Sequence, residues 1–156
     1  MKRIIGSLIV ICLLATGAIG QDYNTGIGFR TGTSNGLTVK HFLGEHSVIE
    51  GIVTTRWKGY NFTGLYQIYD RAFNTPRLNW FYGFGAHVGS FSGDDHRNFD
   101  DDEQHLLIGI DGIIGMEYNF TGIPFNISLD WKPAIDIIGG FYPWGDEVAL
   151  SVRYIF

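Results

Sequence analysis

The sequence predicts an all-β protein: a closed, antiparallel, up-and-down transmembrane barrel of eight strands, with a polar interior and an apolar exterior. Eight segments alternate polar and apolar residues with a period of two, and short turns separate most of them. Bulky and aromatic residues fill one of the two faces, whereas glycine and single charges of both signs fill the other. No stretch between two segments is long enough for a helix that could cover a sheet.

The predicted strands follow one another as a meander. They are residues 23–32, 37–43, 47–57, 59–69, 78–91, 105–118, 124–138 and 146–156. The first connection contains Asn35-Gly36, a strong signal for a tight hairpin, and residues 92–104 form a long connection. An even number of antiparallel strands allows such a meander to close into a barrel.

The character of the two faces decides which of them lies inside. An eight-stranded barrel has an interior just wide enough for side chains, so the many Trp, Tyr, Phe and Ile residues cannot all fill it. Glycine leaves room beside it for a longer side chain, and buried charges require partners of opposite sign. The sequence therefore predicts an interior polar network, which consists of Arg30, Lys40, Glu50, Asp111, Glu117, Asp130, Lys132, Asp136 and Arg153. In the first segment, the same alternation places Tyr23, Thr25, Ile27 and Phe29 on the outward face.

The first residues have the layout of a secretory signal peptide. Lys2 and Arg3 precede an apolar run, and Ala18 and Gly20 supply small residues before a cleavage point. The run is shorter than the roughly 20 apolar residues that span a membrane. We therefore predict a signal peptide at residues 1–20 and one barrel domain at residues 21–156. The net charge of −5 gives no basic surface, so a nucleic-acid partner is not expected.

The long connection holds the candidate metal ligands of the sequence. They are Asp94, Asp95, Asp100, Asp101, Asp102 and Glu103. The ligand spacing of an EF-hand is missing, because no glycine takes the sixth position and no glutamate closes the loop. A solvated acidic loop is the favoured interpretation, and neither a metal ion nor another cofactor is expected.

Two further residues test the barrel hypothesis. Pro133 lies inside a predicted strand, yet proline cannot donate to a strand ladder and a closed barrel has no edge. We therefore expect a bulge or a local break at residues 132–133.

His87 could serve in catalysis, but Ser90 is three residues away and so points to the opposite face. A structural role for His87 and the absence of a catalytic site are predicted.

The strand pattern and the ending VALSVRYIF resemble the small eight-stranded outer-membrane proteins of Gram-negative bacteria, of the OmpX type and the OmpA transmembrane type. In that family the outer-membrane insertion machinery reads the last strand, which implies this role for Val152, Tyr154 and Phe156. The resemblance also implies an outer-membrane location, contact with lipid and lipopolysaccharide, and a monomer. Residues 33–36, 57–59, 92–104 and 139–145 would then form the outer loops.

The resemblance implies a non-enzymatic protein with a structural, adhesion or surface-binding role. Two alternatives stay open. Some outer-membrane barrels of this size are lipid A-modifying enzymes that use a histidine, a serine and an acid. A soluble barrel that binds an apolar ligand would instead have its bulky face inside.

Overall fold

The structure is a computed structural model, and it describes residues 23–56, 59–92, 104–138 and 142–156. Its strands are β1 (Thr25–Gly32), β2 (Asn35–Phe42), β3 (Ser47–Arg56), β4 (Gly59–Arg71), β5 (Leu78–Ser92), β6 (Gln104–Asn119), β7 (Phe125–Trp131), β8 (Ala134–Ile138), β9 (Tyr142–Trp144) and β10 (Val148–Ile155). β7 and β8 follow each other along one barrel strand, and β9 and β10 along another. The ten segments therefore make eight barrel strands. No helix that could cross a membrane occurs within the described ranges.

Antiparallel pairing runs around the whole wall. Each of the eight barrel strands pairs with its neighbour in sequence, and β1 pairs with β10 from Gly26 opposite Ile155 to Gly32 opposite Ala149. This last pairing closes the barrel and supplies the backbone hydrogen bonds that an open edge would lack. The prediction of a closed, eight-stranded, antiparallel barrel is confirmed. One difference is β9, which lies where the sequence predicted only a loop.

The barrel has two distinct ends. Asn24 and Phe156 meet at one of them, where the Asn24 N–H donates to the Phe156 carbonyl at 3.1 Å. The connections at residues 43–46, 72–77 and 120–124 lie at this end, which we call the terminal end. The opposite end carries the β1–β2 turn, where the Thr33 N–H donates to the Val148 carbonyl. We call it the loop end.

The wall separates two kinds of side chain, as the alternation predicts. Phe29 is 74% exposed on the outside, whereas Arg30, the next residue, is 1% exposed on the inside. The interior also contains a small apolar cluster in which Tyr69 and Phe81 stack with ring centroids 4.9 Å apart. The prediction of an outward Tyr23 is wrong, because its buried hydroxyl donates to Glu117 at 2.6 Å. Thr25 was predicted outward as well, yet it is buried and its hydroxyl lies 2.9 Å from His41 Nδ1. Tyr23 precedes β1 and Thr25 is its first residue, and the outward alternation begins only at Ile27.

The wall is interrupted where Pro133 stands. β7 ends at Trp131 and β8 begins at Ala134, which confirms the expected local break. The register against β6 nevertheless continues unchanged, since Ile114 faces Trp131 and Asp111 faces Ala134. The Gly112 N–H donates to the Pro133 carbonyl at 2.8 Å, and the reciprocal bond is the one that proline cannot make. The register shift between β6 and β8 lies instead at residues 108–109, nearer the loop end.

Candidate functional site

The predicted polar residues all lie in the barrel lumen. Each of the nine side chains belongs to a residue that is at most 4% exposed. The structure brings them together in two groups. The first group, which we call the inner square, consists of Lys40, Glu50, Glu117 and Arg153. The second, the loop-end cluster, consists of Arg30, Asp111, Asp130, Lys132 and Asp136, together with His87 and Glu147.

The inner square alternates positive and negative groups around a ring. Lys40 Nζ lies 3.8 Å from Glu50 and 3.2 Å from Glu117. The two terminal nitrogens of Arg153 lie 2.7 Å from Glu50 and 3.6 Å from Glu117. β2 and β6 are four positions apart around the eight-stranded wall, so the contact between Lys40 and Glu117 crosses the full width of the lumen.

Neutral side chains complete the hydrogen bonding of the inner square. Thr38 and Gln67 donate to Glu50, and Tyr23 and Tyr69 donate to Glu117. Arg153 also donates to Ser128 at 2.7 Å and to Thr38 at 3.2 Å. The Lys40 ammonium donates to the Tyr69 hydroxyl and lies 4.0 Å from the Phe81 ring centroid. Buried charges are tolerated when they are paired and hydrogen-bonded in this way.

The loop-end cluster begins at two bridges between barrel strands. Arg30 on β1 lies 2.6 Å from Asp130 on β7 and 3.5 Å from Glu147. Lys132, at the break after β7, lies 3.0 Å from Glu147 and 2.8 Å from Asp111 on β6. These contacts link neighbouring or next-but-one strands along one half of the wall, whereas the contacts of the inner square cross the lumen.

The cluster ends at a histidine between two carboxylates. His87 Nδ1 lies 2.9 Å from Asp111 Oδ2, and His87 Nε2 lies 2.8 Å from Asp136 Oδ1. The ring occupies space that a glycine leaves free, since a Cβ at Gly109 would come within 2.5 Å of the ring. Both ring nitrogens are engaged, so neither is available to take a proton from a nucleophile.

Ion balance distinguishes the two groups. The inner square contains two cations and two carboxylates, whereas the loop-end cluster contains Arg30 and Lys132 against four carboxylates. The described ranges contain no group of three or more His, Cys, Asp or Glu residues suited to a metal ion. The acidic metal candidates at residues 94, 95 and 100–103 lie outside the described ranges.

A cavity of about 630 Å³ lies at the terminal end, and none of the four residues of the inner square is among its lining residues. Its lining includes Tyr23, Phe42 and Tyr69. The Phe42 ring makes edge contacts with both tyrosines, at centroid distances of 5.0 and 5.2 Å. These three rings separate the cavity from the charged layer.

Several interior residues were missed by the sequence analysis. Glu147 and Gln67 are both buried and bind charged side chains of the network. The alternation of the last predicted strand, residues 146–156, extends to Glu147, because Ala149, Ser151 and Arg153 share its face. The alternation of the last strand could therefore have identified Glu147 as an interior residue. The sequence around Gln67 gives no signal that its partner is Glu50.

The proposed insertion signal lies on the outer surface. Val152, Tyr154 and Phe156 are 44%, 48% and 38% exposed. The Tyr154 ring contacts Phe125 on β7 edge-on, at a centroid distance of 5.6 Å. These side chains therefore line the outer wall next to the seam between β1 and β10.

The barrel is similar to a solved structure, the N-terminal β-barrel domain of OprF from Pseudomonas aeruginosa. The TM-score is 0.63 at 14% sequence identity, over 85% of this chain and 95% of that chain. Similarity at this level of identity establishes the fold. It supports the barrel type of the sequence resemblance, and the more specific OmpX-like resemblance stays a prediction. No protein-family model matches the sequence, and no curated protein matches it.

Proposed function

We propose that this chain is an integral outer-membrane protein of Gram-negative bacteria, exported with a cleaved signal peptide and without enzymatic activity. Its role is structural, adhesive or surface-binding, exerted through the outer loops. The observation that carries the proposal is the inversion of the two faces, with the ion pairs inside and the bulky apolar side chains outside. In water this arrangement would expose a continuous apolar belt, whereas in a bilayer the belt contacts acyl chains.

The closed wall supports placement in lipid. Hydrocarbon offers no hydrogen bonds, so a spanning sheet must satisfy its backbone groups internally, as the pairing of β1 with β10 allows here. Outward aromatic residues lie toward the strand ends, where membrane barrels carry their interfacial girdles; examples are Trp80, Tyr82 and Tyr154. The proposed partners are accordingly outer-membrane lipid, lipopolysaccharide and the insertion machinery, with the protein as a monomer.

The filled lumen favours a structural role over conduction. Side chains from β2, β3, β6 and β10 meet in the inner square and cross the lumen. Eight-stranded barrels have interiors that side chains can fill. We therefore expect no steady ion conductance when the refolded protein is added to planar bilayers.

The arrangement around His87 supports a non-enzymatic role. A histidine general base needs one ring nitrogen directed at a nucleophile, but both nitrogens of His87 contact carboxylates. No cofactor is proposed. A lipid A-modifying enzyme remains the alternative from the sequence resemblance.

The central test is membrane-barrel behaviour. The refolded protein should require detergent or lipid, and its unheated form should migrate differently from the boiled form in gel electrophoresis. In cells, it should fractionate with the outer membrane. A protein that is freely soluble after refolding, with no heat-dependent shift, would contradict the proposal and favour the soluble alternative.

A separate measurement tests the absence of activity. Lipid A is extracted from cells with and without the expressed protein, and the two mass spectra are compared. We expect identical acyl-chain compositions. A change of one acyl chain, lost when His87 is replaced by Gln, would support the enzymatic alternative.

A further inference from the structure

The contacts of His87 require more protons than a neutral histidine carries. A neutral imidazole has one N–H donor and one unprotonated nitrogen that can only accept. Both Asp111 and Asp136, when ionised, can only accept hydrogen bonds. His87 Nδ1 and Nε2 nevertheless lie 2.9 and 2.8 Å from the two carboxylates. Two hydrogen bonds at these distances need one proton more than the neutral ring carries, and a positively charged ring supplies it while both carboxylates stay ionised.

The other groups around His87 agree with this charge. Thr63 faces it from β4 and is neutral, and Gly109 faces it from β6. Lys132 binds Asp111 and Glu147, so its positive charge is shared between two carboxylates. Among the described residues, an uncharged His87 would leave Arg30 and Lys132 beside the four carboxylates of the loop-end cluster. Unbalanced buried charge is costly, and a charged His87 reduces the imbalance.

The segment that carries Asp136 is weakly held by its backbone. β8 has five residues, follows the break at Pro133, and pairs on its far side with the three residues of β9. Its register against β6 also shifts between Ile108 and Gly109. Asp111, by contrast, lies within the 16 residues of β6. When His87 can make only one bond, the contact with Asp136 is the one that can open.

We propose that His87 is a proton-operated latch, which adds a tie between β8 and the barrel wall when both ring nitrogens are protonated and loses that tie when one proton leaves. Asp136 is the moving partner and Asp111 the fixed one. The proposal depends on the barrel fold and on the contacts of the loop-end cluster. It does not depend on any role assigned to the outer loops.

The test uses the full domain refolded in detergent micelles, with nitrogen-15 in the histidine rings. Ring nitrogen shifts report the protonation of His87, and amide hydrogen exchange of residues 134–138 reports the opening of β8. Both are measured from about pH 5 to about pH 10, with exchange corrected for its intrinsic pH dependence. We expect both nitrogens to be protonated at the acidic end. Loss of one proton should accelerate β8 exchange by about tenfold or more, with β3 unchanged, because a charged hydrogen bond is lost.

Two variants separate the latch from general effects of charge. In Asp136→Asn the side-chain amide can accept from a protonated ring nitrogen and donate to an unprotonated one, so β8 exchange should no longer follow the protonation of His87. The matched control is Asp130→Asn, which removes a buried carboxylate that contacts Arg30 and should leave the β8 response intact. If Asp136→Asn does not fold, His87→Gln replaces it, and its β8 exchange should likewise lose the pH-dependent step.

Three results would overturn the latch. The first is a His87 ring with one proton throughout the pH range while β8 stays protected, since the second proton would then lie on a carboxylate. The second is a ring that keeps both protons up to about pH 10, because no release could occur. The third is a β8 response that persists in Asp136→Asn or in His87→Gln.

Discussion

The two polar groups of the lumen, the inner square and the loop-end cluster, pair their buried charges in different ways. The inner square joins opposite walls of the barrel, is electrically balanced, and is surrounded by hydroxyl and amide donors. The loop-end cluster follows one half of the wall, contains more carboxylates than cations, and lies beside the break at Pro133. Where the strand pairing is continuous, side chains bridge the lumen. Where the pairing is interrupted, side chains connect the separated segments to their neighbours.

This difference implies different responses to the loss of charge. Removing one member of a balanced set leaves an unpaired buried ion, which is strongly destabilising. Removing a carboxylate from a set with surplus negative charge also removes repulsion, so the net effect is smaller. Three pairs of variants and one single variant test this comparison. In each case the free energy of unfolding is measured by urea denaturation and refolding in the same detergent micelles.

The largest effect is expected for Arg153→Met. Arg153 contacts Glu50 and Glu117 and donates to Thr38 and Ser128, so its loss leaves two carboxylates facing Lys40. The expected loss of unfolding free energy is about 3–5 kcal/mol. Arg71→Met at the exposed terminal end is the control and should change stability by less than about 0.5 kcal/mol. Equal losses in the two variants would contradict the inner square as a stabilising unit.

The next comparison applies the same chemical change to both groups. Glu117→Gln removes a carboxylate that contacts Lys40 and Arg153 and should destabilise by about 2–3 kcal/mol. Asp136→Asn in the loop-end cluster should cost about 1 kcal/mol or less near neutral pH, since it relieves surplus negative charge while keeping an acceptor for His87. If Asp136→Asn proves the more damaging, charge balance does not distinguish the groups.

Gly109→Ala tests the space that the His87 ring requires. The added Cβ would lie 2.5 Å from that ring and 2.4 Å from the Ile135 carbonyl, so the expected loss is about 1–3 kcal/mol. Gly112→Ala, on the same strand, would place its Cβ 3.6 Å from Pro133, which is ordinary contact. We expect it to change stability by less than about 1 kcal/mol, in either direction. Similar losses in both variants would show that the space needed by the His87 ring does not determine the cost at Gly109.

The smallest effect is expected for Pro133→Ala. Alanine supplies the N–H that could donate to the Gly112 carbonyl, a gain of about 1 kcal/mol. The unfolded chain becomes more flexible without proline, which offsets most of that gain. The amide at position 133 should show hydrogen-exchange protection and the register should stay as it is. A shifted register would show that proline, rather than the flanking ladders, sets the pairing here.

The sequence was sufficient for the two faces of the barrel and insufficient for the pairing across its lumen. Alternation placed Lys40, Glu117 and Arg153 inside, because successive side chains of a strand point to opposite faces of the sheet. Their mutual contacts join β2, β6 and β10, which meet only after the barrel closes. Tyr23 was placed wrongly because it precedes the first strand, and β9 was missed because three residues give too short a pattern.

At Pro133, too, one feature could be predicted from the sequence and another could not. The sequence predicted a local break from the missing N–H, and the strand does break there. It could not predict that the register against β6 would continue across the break. That continuity depends on the ladders on both sides of residues 132–133. Chemistry within one strand is visible in the sequence, whereas the alignment of two strands depends on the whole wall.

The seam between β1 and β10 also constrains how the chain can fold. Gly26 pairs with Ile155, so the contacts that close the wall join residues near the two ends of the described chain. Closing so long a loop carries a large entropic cost, and contacts of such sequence separation slow folding. The ladder between β1 and β10 therefore forms late, after the hairpins between consecutive strands. Until it forms, the chain has two open edges, and each of them can pair with another chain.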